Sequence, residues 1–331
     1  VAKTLLKVED LTMHYTTRGG DVKAVDRVSF ELAEGDSLGL VGESGCGKTS
    51  IALTLLRLLP ENAKIIDGHV WLNDTDLLAL TEDEMRKFRW KRISMVFQAA
   101  MNSLNPVYTV GDQIIEALEL HIGVMTREEA RQRVAELFEL VGLDPSLMDR
   151  YPHEYSGGMR QRAVIAMALS CNPDLIIADE PTTALDVIVQ DRVLRKLEEI
   201  QEKLGMSMIY ISHDIAVIAE VSNRIAVMYA GQMAEMASSY EIFEHPLHPY
   251  TYALMTSFPS IKGRKHKLEP LPGEPPNLIS PPSGCRFHPR CWRATEICEK
   301  EYPEFKDYGN NHFAACWHPL EKPAAEYLEE A

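Results

Sequence analysis

The chain has 331 residues, with 34 basic against 49 acidic side chains and a formal charge of −15 at pH 7. That balance argues against a nucleic-acid partner, and the length is ample for a buried core and a second domain. No run approaches about 18 consecutive apolar residues, so no membrane span is expected, and Val1-Ala2-Lys3-Thr4 leads into strand-like sequence without a secretory pattern. Six cysteines, one inside a glycine loop, fit a reducing cytosol better than a disulfide scaffold.

Leu5 to Tyr15 and Val25 to Leu32 carry apolar residues at strand spacing around the turn signal Arg18-Gly19-Gly20-Asp21, which predicts a hairpin. Tyr15 ends the first strand, where it is either a stacking platform for a purine or an ordinary strand aromatic. The apolar run Leu38-Gly39-Leu40-Val41 then meets Gly42-Glu43-Ser44-Gly45-Cys46-Gly47-Lys48-Thr49, followed by Ser50 and the helical run Ile51 to Leu56. Strand, glycine loop and helix in that order make a phosphate cradle: backbone N–H groups curl around an anion at a helix N-terminus. Lys48 is placed to reach the β- and γ-phosphates of a nucleotide and Thr49 to ligate Mg²⁺.

Gly68 to Asn73 reads as a strand, and Thr81-Glu82-Asp83-Glu84 as a capping box opening a helix. Ile93 to Phe97 is a buried strand ending in Gln98, a position from which a polar side chain reaches a metal, an attacking water or only solvent. From about 101 to 157 the character turns helical, with three- and four-residue apolar spacing over Val110 to Gly123 and Thr126 to Val141. This insertion ends at Tyr155-Ser156-Gly157-Gly158-Met159, where Ser156 is either a plain helix cap or part of a second anion site. Leu175 to Ala178 is an apolar strand finished by Asp179 and Glu180, two adjacent carboxylates that call for a cation or a reaction. Asp179 suits Mg²⁺ and Glu180 suits a water to be oriented or deprotonated. Pro181 to Asp186 forms a loop, Val189 to Leu204 an amphipathic helix, and Met206 to Ser212 a strand ending at His213, which is placed to sense a γ-phosphate.

The phosphate loop, Gln98, Ser156-Gly157-Gly158-Met159, Leu175 to Glu180, Ala184-Leu185-Asp186 and His213 stand in the order and spacing of an ABC transporter ATP-binding subunit. They resemble its Walker A, Q-loop, signature, Walker B, D-loop and switch histidine. Ser103-Leu104-Asn105-Pro106, Gly158 to Arg162 and His245-Pro246-Leu247-His248-Pro249-Tyr250-Thr251 resemble the oligopeptide/dipeptide importer branch in particular. Ala99-Ala100 and Tyr155-Ser156-Gly157-Gly158-Met159 depart from the commoner family wording without removing a catalytic group.

The resemblance implies an α/β P-loop NTPase of the ABC cassette type over 1–256, with an antiparallel β subdomain and the helical insertion. It implies two cassettes packed head to tail, with ATP between the Walker A loop of one and Ser156-Gly157-Gly158 of the other. Tyr15 would stack on adenine, Lys48 and the loop from Gly42 to Ser50 hold phosphates, and Thr49, Gln98 and Asp179 serve Mg²⁺. Glu180 would be the base, His213 would meet the γ-phosphate, and Asp186 would lie in the D-loop. Implied partners are a second cassette, two permease subunits at the cytoplasmic face of the membrane, and indirectly an extracytoplasmic binding protein. Branch relatives serve peptides, while related systems carry nickel or sugars. A soluble ABC ATPase acting on nucleic acid or the ribosome is the rival class, disfavoured by the acidic charge.

Beyond Met255 the prolines 259, 270, 272, 275, 276, 281 and 282 predict an extended tract, with Lys262 to Lys267 as a solvated basic turn. Cys285, Cys291, Cys298 and Cys316 follow, separated by five, six and seventeen residues, which does not match the close pairs of common zinc ribbons. Four thiolates suit an iron–sulfur cluster by ligand count, and the segment resembles the branch's C-terminal extension, which implies a [4Fe–4S] cluster over 257–331. Structural Zn²⁺, free packing thiols and a redox gate on the ATPase are the other readings. Cys46 and Cys171 read as packing residues.

Overall fold

A computed structural model describes residues 3–98, 102–183, 185–257, 271 and 273–323. Ala99-Ala100, Ala184, Pro259, the cluster Lys262 to Lys267, Pro270 and Pro272 lie outside the described residues. The chain divides into two compact units, one of Val1–Leu5, Leu32–Ser37 and Asp76–Tyr210, the other of Leu6–Glu31, Leu38–Thr75 and Ile211–Ala331. The boundary that composition suggests near 256/257 falls inside the second unit.

β1 (Thr4–Thr17) and β2 (Gly20–Ala33) are neighbours in a four-stranded sheet and run longer than their apolar spacing suggests. Their outer ends are polar and exposed, and the ladder there needs only backbone groups. β3 (Ser37–Val41) is buried throughout and feeds the glycine loop and α1 (Lys48–Leu55). β4 (Ala63–Leu72) starts earlier than the Gly68 the sequence suggests. It pairs antiparallel with β1 from Leu6↔Leu72 to Tyr15↔Ala63, and its exposed first half carries no apolar alternation to read. β5 (Thr75–Asp76) closes the order β2-β1-β4-β5.

In the first unit, α2 (Glu82–Phe88) opens on the expected capping box: Thr81 Oγ1 accepts from Glu84 N (3.3 Å), and Glu84 Oε2 accepts from Thr81 N (2.8 Å). β6 (Ile93–Val96) follows, then the helices α3 (Val110–Ile122) and α4 (Arg127–Leu140). Val110, Ile114 and Leu118 of α3 and Ala130, Val134, Leu137 and Phe138 of α4 are buried at helical spacing. These helices pack on each other and on α5 (Gly157–Leu169). Tyr155 Oη donates to Leu147 O (2.6 Å), which sets the chain's approach to α5. β7 (Leu175–Asp179) is buried along its length and runs parallel to β6, from Ile93↔Leu175 to Val96↔Ala178. That register brings the carboxyl ends of both strands to one edge, where open α/β sheets bind ligands. α6 (Val187–Leu204) is capped by Asp186, whose carboxylate accepts from Val189 N (3.0 Å), and β8 (Ser207–Ser212) follows.

The second unit resumes with α7 (Ile215–Val221), β9 (Arg224–Tyr229), parallel to β3, and β10 (Gln232–Ser238), antiparallel to β9. α8 (Ser239–Glu244), α9 (Pro249–Thr256), α10 (Glu296–Lys300), β11 (Lys306–Asp307) and β12 (Phe313–Ala314) complete it. β12 pairs with β10, so within this unit the strand order is β11-β12-β10-β9-β3. The proline tract is pinned where Leu278 O accepts from Lys23 N (3.0 Å) on β2.

Glu235 on β10 is fully buried and holds three segments together. Its oxygens accept from Leu247 N (2.7 Å) and His248 N (2.8 Å), and Oε1 lies 2.6 Å from His312 Nε2, next to β12. His248 turns Nδ1 back to accept from Tyr250 N (3.0 Å), and burial depresses its pKa to about 3, so the ring is neutral at ordinary pH. The Leu247 and His248 N–H groups each need a carboxylate oxygen as acceptor, so an amide NH₂ at either oxygen's place leaves a buried donor facing a donor. Glu235→Gln is expected to lower stability by about 3 kcal/mol, read as a lower urea midpoint at unchanged slope.

Candidate active site

The phosphate loop belongs to the second unit. Gly42 and Gly47 have φ of 149° and 107°, and a Cβ at either would sit 2.2 Å from Met228 O or 2.1 Å from Ala24 O. No other residue fits such positive φ together with such close backbone approach. No side chain caps α1 at Gly47, and a helix N-terminus of this kind favours an anion. Lys48 is 7% exposed, and its Nζ donates to Gly42 O (2.7 Å) and Glu43 O (3.1 Å), with Cys46 Sγ at 3.6 Å. Cys46 is buried, and burial pushes its thiol pKa up, which fits a packing role inside the loop. Ser44 and Gly45 are exposed at the rim, and Ser50 is nearly buried behind it. Tyr15 Oη lies 3.2 Å from Ser50 Oγ, so the half-buried ring of β1 stands beside the loop's own helix.

The carboxylate edge belongs to the first unit. Asp179 is 2% exposed, while Glu180 follows it in left-handed backbone geometry with φ of 46°. A non-glycine residue held there is strained, and such strain gathers at sites of chemistry. Gln98 Nε2 donates to Glu180 Oε2 (3.0 Å) and Thr183 Oγ1 donates to the same oxygen (2.8 Å). The exposed Gln98 and Glu180, 82 residues apart in sequence, thus meet because β6 and β7 are parallel neighbours. Thr183 is the partner that sequence reasoning passes over, since nothing separates it from Thr182 until the turn after Glu180 is built.

Ser156 is exposed at the tip of α5, and its Oγ accepts from Met159 N (3.3 Å). Gly157 and Gly158 follow half-buried. Asp186 caps α6 through its side chain, and His213 is exposed just beyond β8. By unit, Gln98, Ser156 to Gly158, Asp179, Glu180 and Asp186 lie in the first, and Tyr15, the phosphate loop and His213 in the second. Thr49 in the second unit, and Gln98 and Asp179 in the first, each carry a hard oxygen of the kind Mg²⁺ takes.

Cys285, Cys291, Cys298 and Cys316 all line one cavity in the second unit, with His288 and His318 at its wall, and all four are free thiols. Burial pushes Cys285 up to about 11 and Cys316 up to about 12, with the neighbouring thiols adding to each rise. Among the described residues, no three or more His, Cys, Asp or Glu gather closely enough to hold a metal ion. That absence bears on the zinc and the iron–sulfur expectations alike, since both need the thiols gathered around the metal.

One contact outside the expected set reaches the phosphate loop. Arg290, beside Cys291, donates Nη1 to Glu43 Oε2 (2.7 Å) and Nη2 to Glu43 Oε1 (3.1 Å). Its only sequence signal is a basic residue next to a cysteine, 247 positions from its partner.

Comparison with known proteins agrees with this geometry. The family described as ABC transporter matches residues 25–183, and that described as oligopeptide/dipeptide transporter, C-terminal region, matches residues 234–298. The dipeptide transport ATP-binding protein DppD of Bacillus subtilis (strain 168) is 46% identical over 326 residues, spanning 98% of this chain and 96% of that protein. The oligopeptide transport ATP-binding protein OppD of Escherichia coli (strain K12) is 42% identical over 323 residues, 97% of this chain and 95% of that one. The dimeric post-hydrolysis structure of the ATP-binding cassette MJ0796 bound to ADP and Pi superposes with a TM-score of 0.63 at 28% identity, covering 71% of this chain and 98% of that one. With near-complete coverage at such identity, and with phosphate loop and carboxylate edge both built, the chain belongs to the ABC transporter family, as an ATP-hydrolysing ATP-binding subunit of the oligopeptide/dipeptide transporter type.

Proposed function

We propose that the chain hydrolyses ATP to drive uptake of dipeptides or oligopeptides, working at the cytoplasmic face of a membrane with a second cassette and two permease subunits. The reading is carried by Glu180: a carboxylate on a strained residue beside a buried Asp179, oriented by Gln98 and Thr183. Relatives named for dipeptide and oligopeptide transport support the solute class. No helix among the described residues is long and apolar enough to cross a membrane, so permease partners would supply the pathway.

In this reading Lys48 shifts its ammonium from the loop carbonyls toward the β- and γ-phosphates, and the amides at the start of α1 hold them. Thr49, Gln98 and Asp179 would hold Mg²⁺, which when bound neutralises phosphate charge. Glu180 takes the proton of the attacking water on a carboxylate oxygen, and the donors from Gln98 and Thr183 keep that carboxylate aimed. Tyr15 offers its ring to adenine, and His213 offers a ring nitrogen to the γ-phosphate. The exposed tip at Ser156-Gly157-Gly158 presents a helix N-terminus to the nucleotide of a second cassette, with Asp186 bordering the same contact. ATP then joins the two cassettes and its cleavage releases them, which turns chemistry into closing and opening.

The four-cysteine cavity is proposed to hold a [4Fe–4S] cluster. Four cysteines that line one cavity match such a cluster by donor type and number. When bound, the cluster supplies a covalent brace to a short segment with little regular structure of its own.

Glu180→Gln is expected to keep nucleotide binding and lose turnover at least about 100-fold, accumulating an ATP-bound dimer on size-exclusion chromatography; undiminished hydrolysis would remove Glu180 from its role. Anaerobic purification is expected to yield a brown protein with about four iron and about four sulfide per chain, and a colourless, iron-free protein would refute the cluster.

A further inference from the structure

The geometry points to Arg290 as a positioning residue of the nucleotide site: from the cysteine-bearing segment it neutralises the one carboxylate in the phosphate loop. Glu43 is held at three points. Its N–H donates to Tyr250 Oη (3.0 Å), its carbonyl accepts from Lys48 Nζ (3.1 Å), and its carboxylate takes both ends of the Arg290 fork (2.7 and 3.1 Å). Planar bidentate pairing fixes orientation as well as charge, which a lysine at the same place does not do.

The pair is built in rather than draped on the surface. The Arg290 side chain is 5% exposed and that of Glu43 is 23% exposed. Nη1 also donates to Tyr229 Oη (3.2 Å), and the guanidinium carbon stands 5.7 Å from the Tyr229 ring centre. Beneath it Tyr229, Tyr250 and Phe287 pack ring against ring at 4.6 to 5.3 Å, and Phe287 is 1% exposed. Glu43, Tyr229, Tyr250 and Arg290 all belong to the second unit.

The reason for the pair lies in charge. Between Gly42 and Thr49 the loop carries one cation, Lys48, and one anion, Glu43, so its side chains alone sum to zero. A polyphosphate entering that loop meets Glu43 as a like charge within a partly desolvated site, where repulsion is screened far less than in water. Arg290 removes that repulsion while leaving the Lys48 charge for the phosphates. The inference rests on the loop binding a nucleotide, and it adds that the C-terminal segment sets how well the loop does so.

The test is ADP affinity of the full-length chain, measured with a fluorescent ADP analogue, with a thermal melt of each variant beside it. Wild-type binding comes first: no binding there would refute the nucleotide reading itself. Arg290→Ala is expected to weaken binding about tenfold, equivalent to about 1.4 kcal/mol, and more steeply at low salt than at high. Glu43→Gln is expected to tighten binding two- to threefold, by roughly the smaller share of the same charge term, because Arg290 is then uncompensated. The double variant Glu43→Gln/Arg290→Ala is expected to recover most of the lost affinity, and Arg290→Lys part of it. A brace acting by shape alone predicts the opposite, with the double variant as weak as Arg290→Ala or weaker. That result, or wild-type affinity in Arg290→Ala, overturns the inference. Should Arg290→Ala not fold, Arg290→Gln, a shorter polar side chain without the charge, carries the same expectation. Weaker binding by Glu43→Gln alone would also overturn it.

Discussion

A buried ammonium cannot persist without oxygen around it, and that requirement shapes the nucleotide site. Lys48 is almost wholly enclosed and is held by the carbonyls of Gly42 and Glu43. For those carbonyls to point inward, the backbone must curl through positive φ and pass within contact of Met228 and Ala24, which excludes any side chain at Gly42 and Gly47. The same curl leaves the start of α1 without a side-chain cap, at an end where the helix dipole favours an anion. One charge, the glycines around it and the helix behind it are therefore a single device.

The carboxylate edge depends on a different constraint. Two parallel buried strands, β6 and β7, end together, and each delivers a polar residue where its apolar run stops. Asp179 remains buried, while Glu180 turns out through a strained conformation that two side-chain hydrogen bonds sustain. Strain of that kind costs of order 1–3 kcal/mol. The stiff sheet bears it, and the carboxylate gains a defined direction.

The region after β10 is tied into the second unit by charge as much as by apolar packing. Glu235 joins β10 to the start of α9 and to His312, Arg286 donates to Asp26 and to Ala230 O, and Arg290 holds Glu43. Buried pairs of this kind contribute little over a well-packed apolar substitute, but breaking one partner is costly. They thus fix register and direction for a segment whose short strands and turns could not do so alone.

Much of the site was legible in the chain because its determinants are local. A glycine loop between an apolar strand and a helix, a capping box at Thr81, and carboxylates at the end of an apolar run each depend on neighbours a few residues away. The early start of β4 was not legible, since its exposed half owes its conformation to pairing with β1 rather than to its own pattern. Nor were Thr183 beneath Glu180 and Arg290 against Glu43. Sequence alone determined where the glycine loop, the helix caps and the strand-end carboxylates fall, because backbone curl, capping and strand ends are short-range effects. Only the tertiary structure decided which distant charges steady those groups, because an ion pair answers to separation in space and not along the chain.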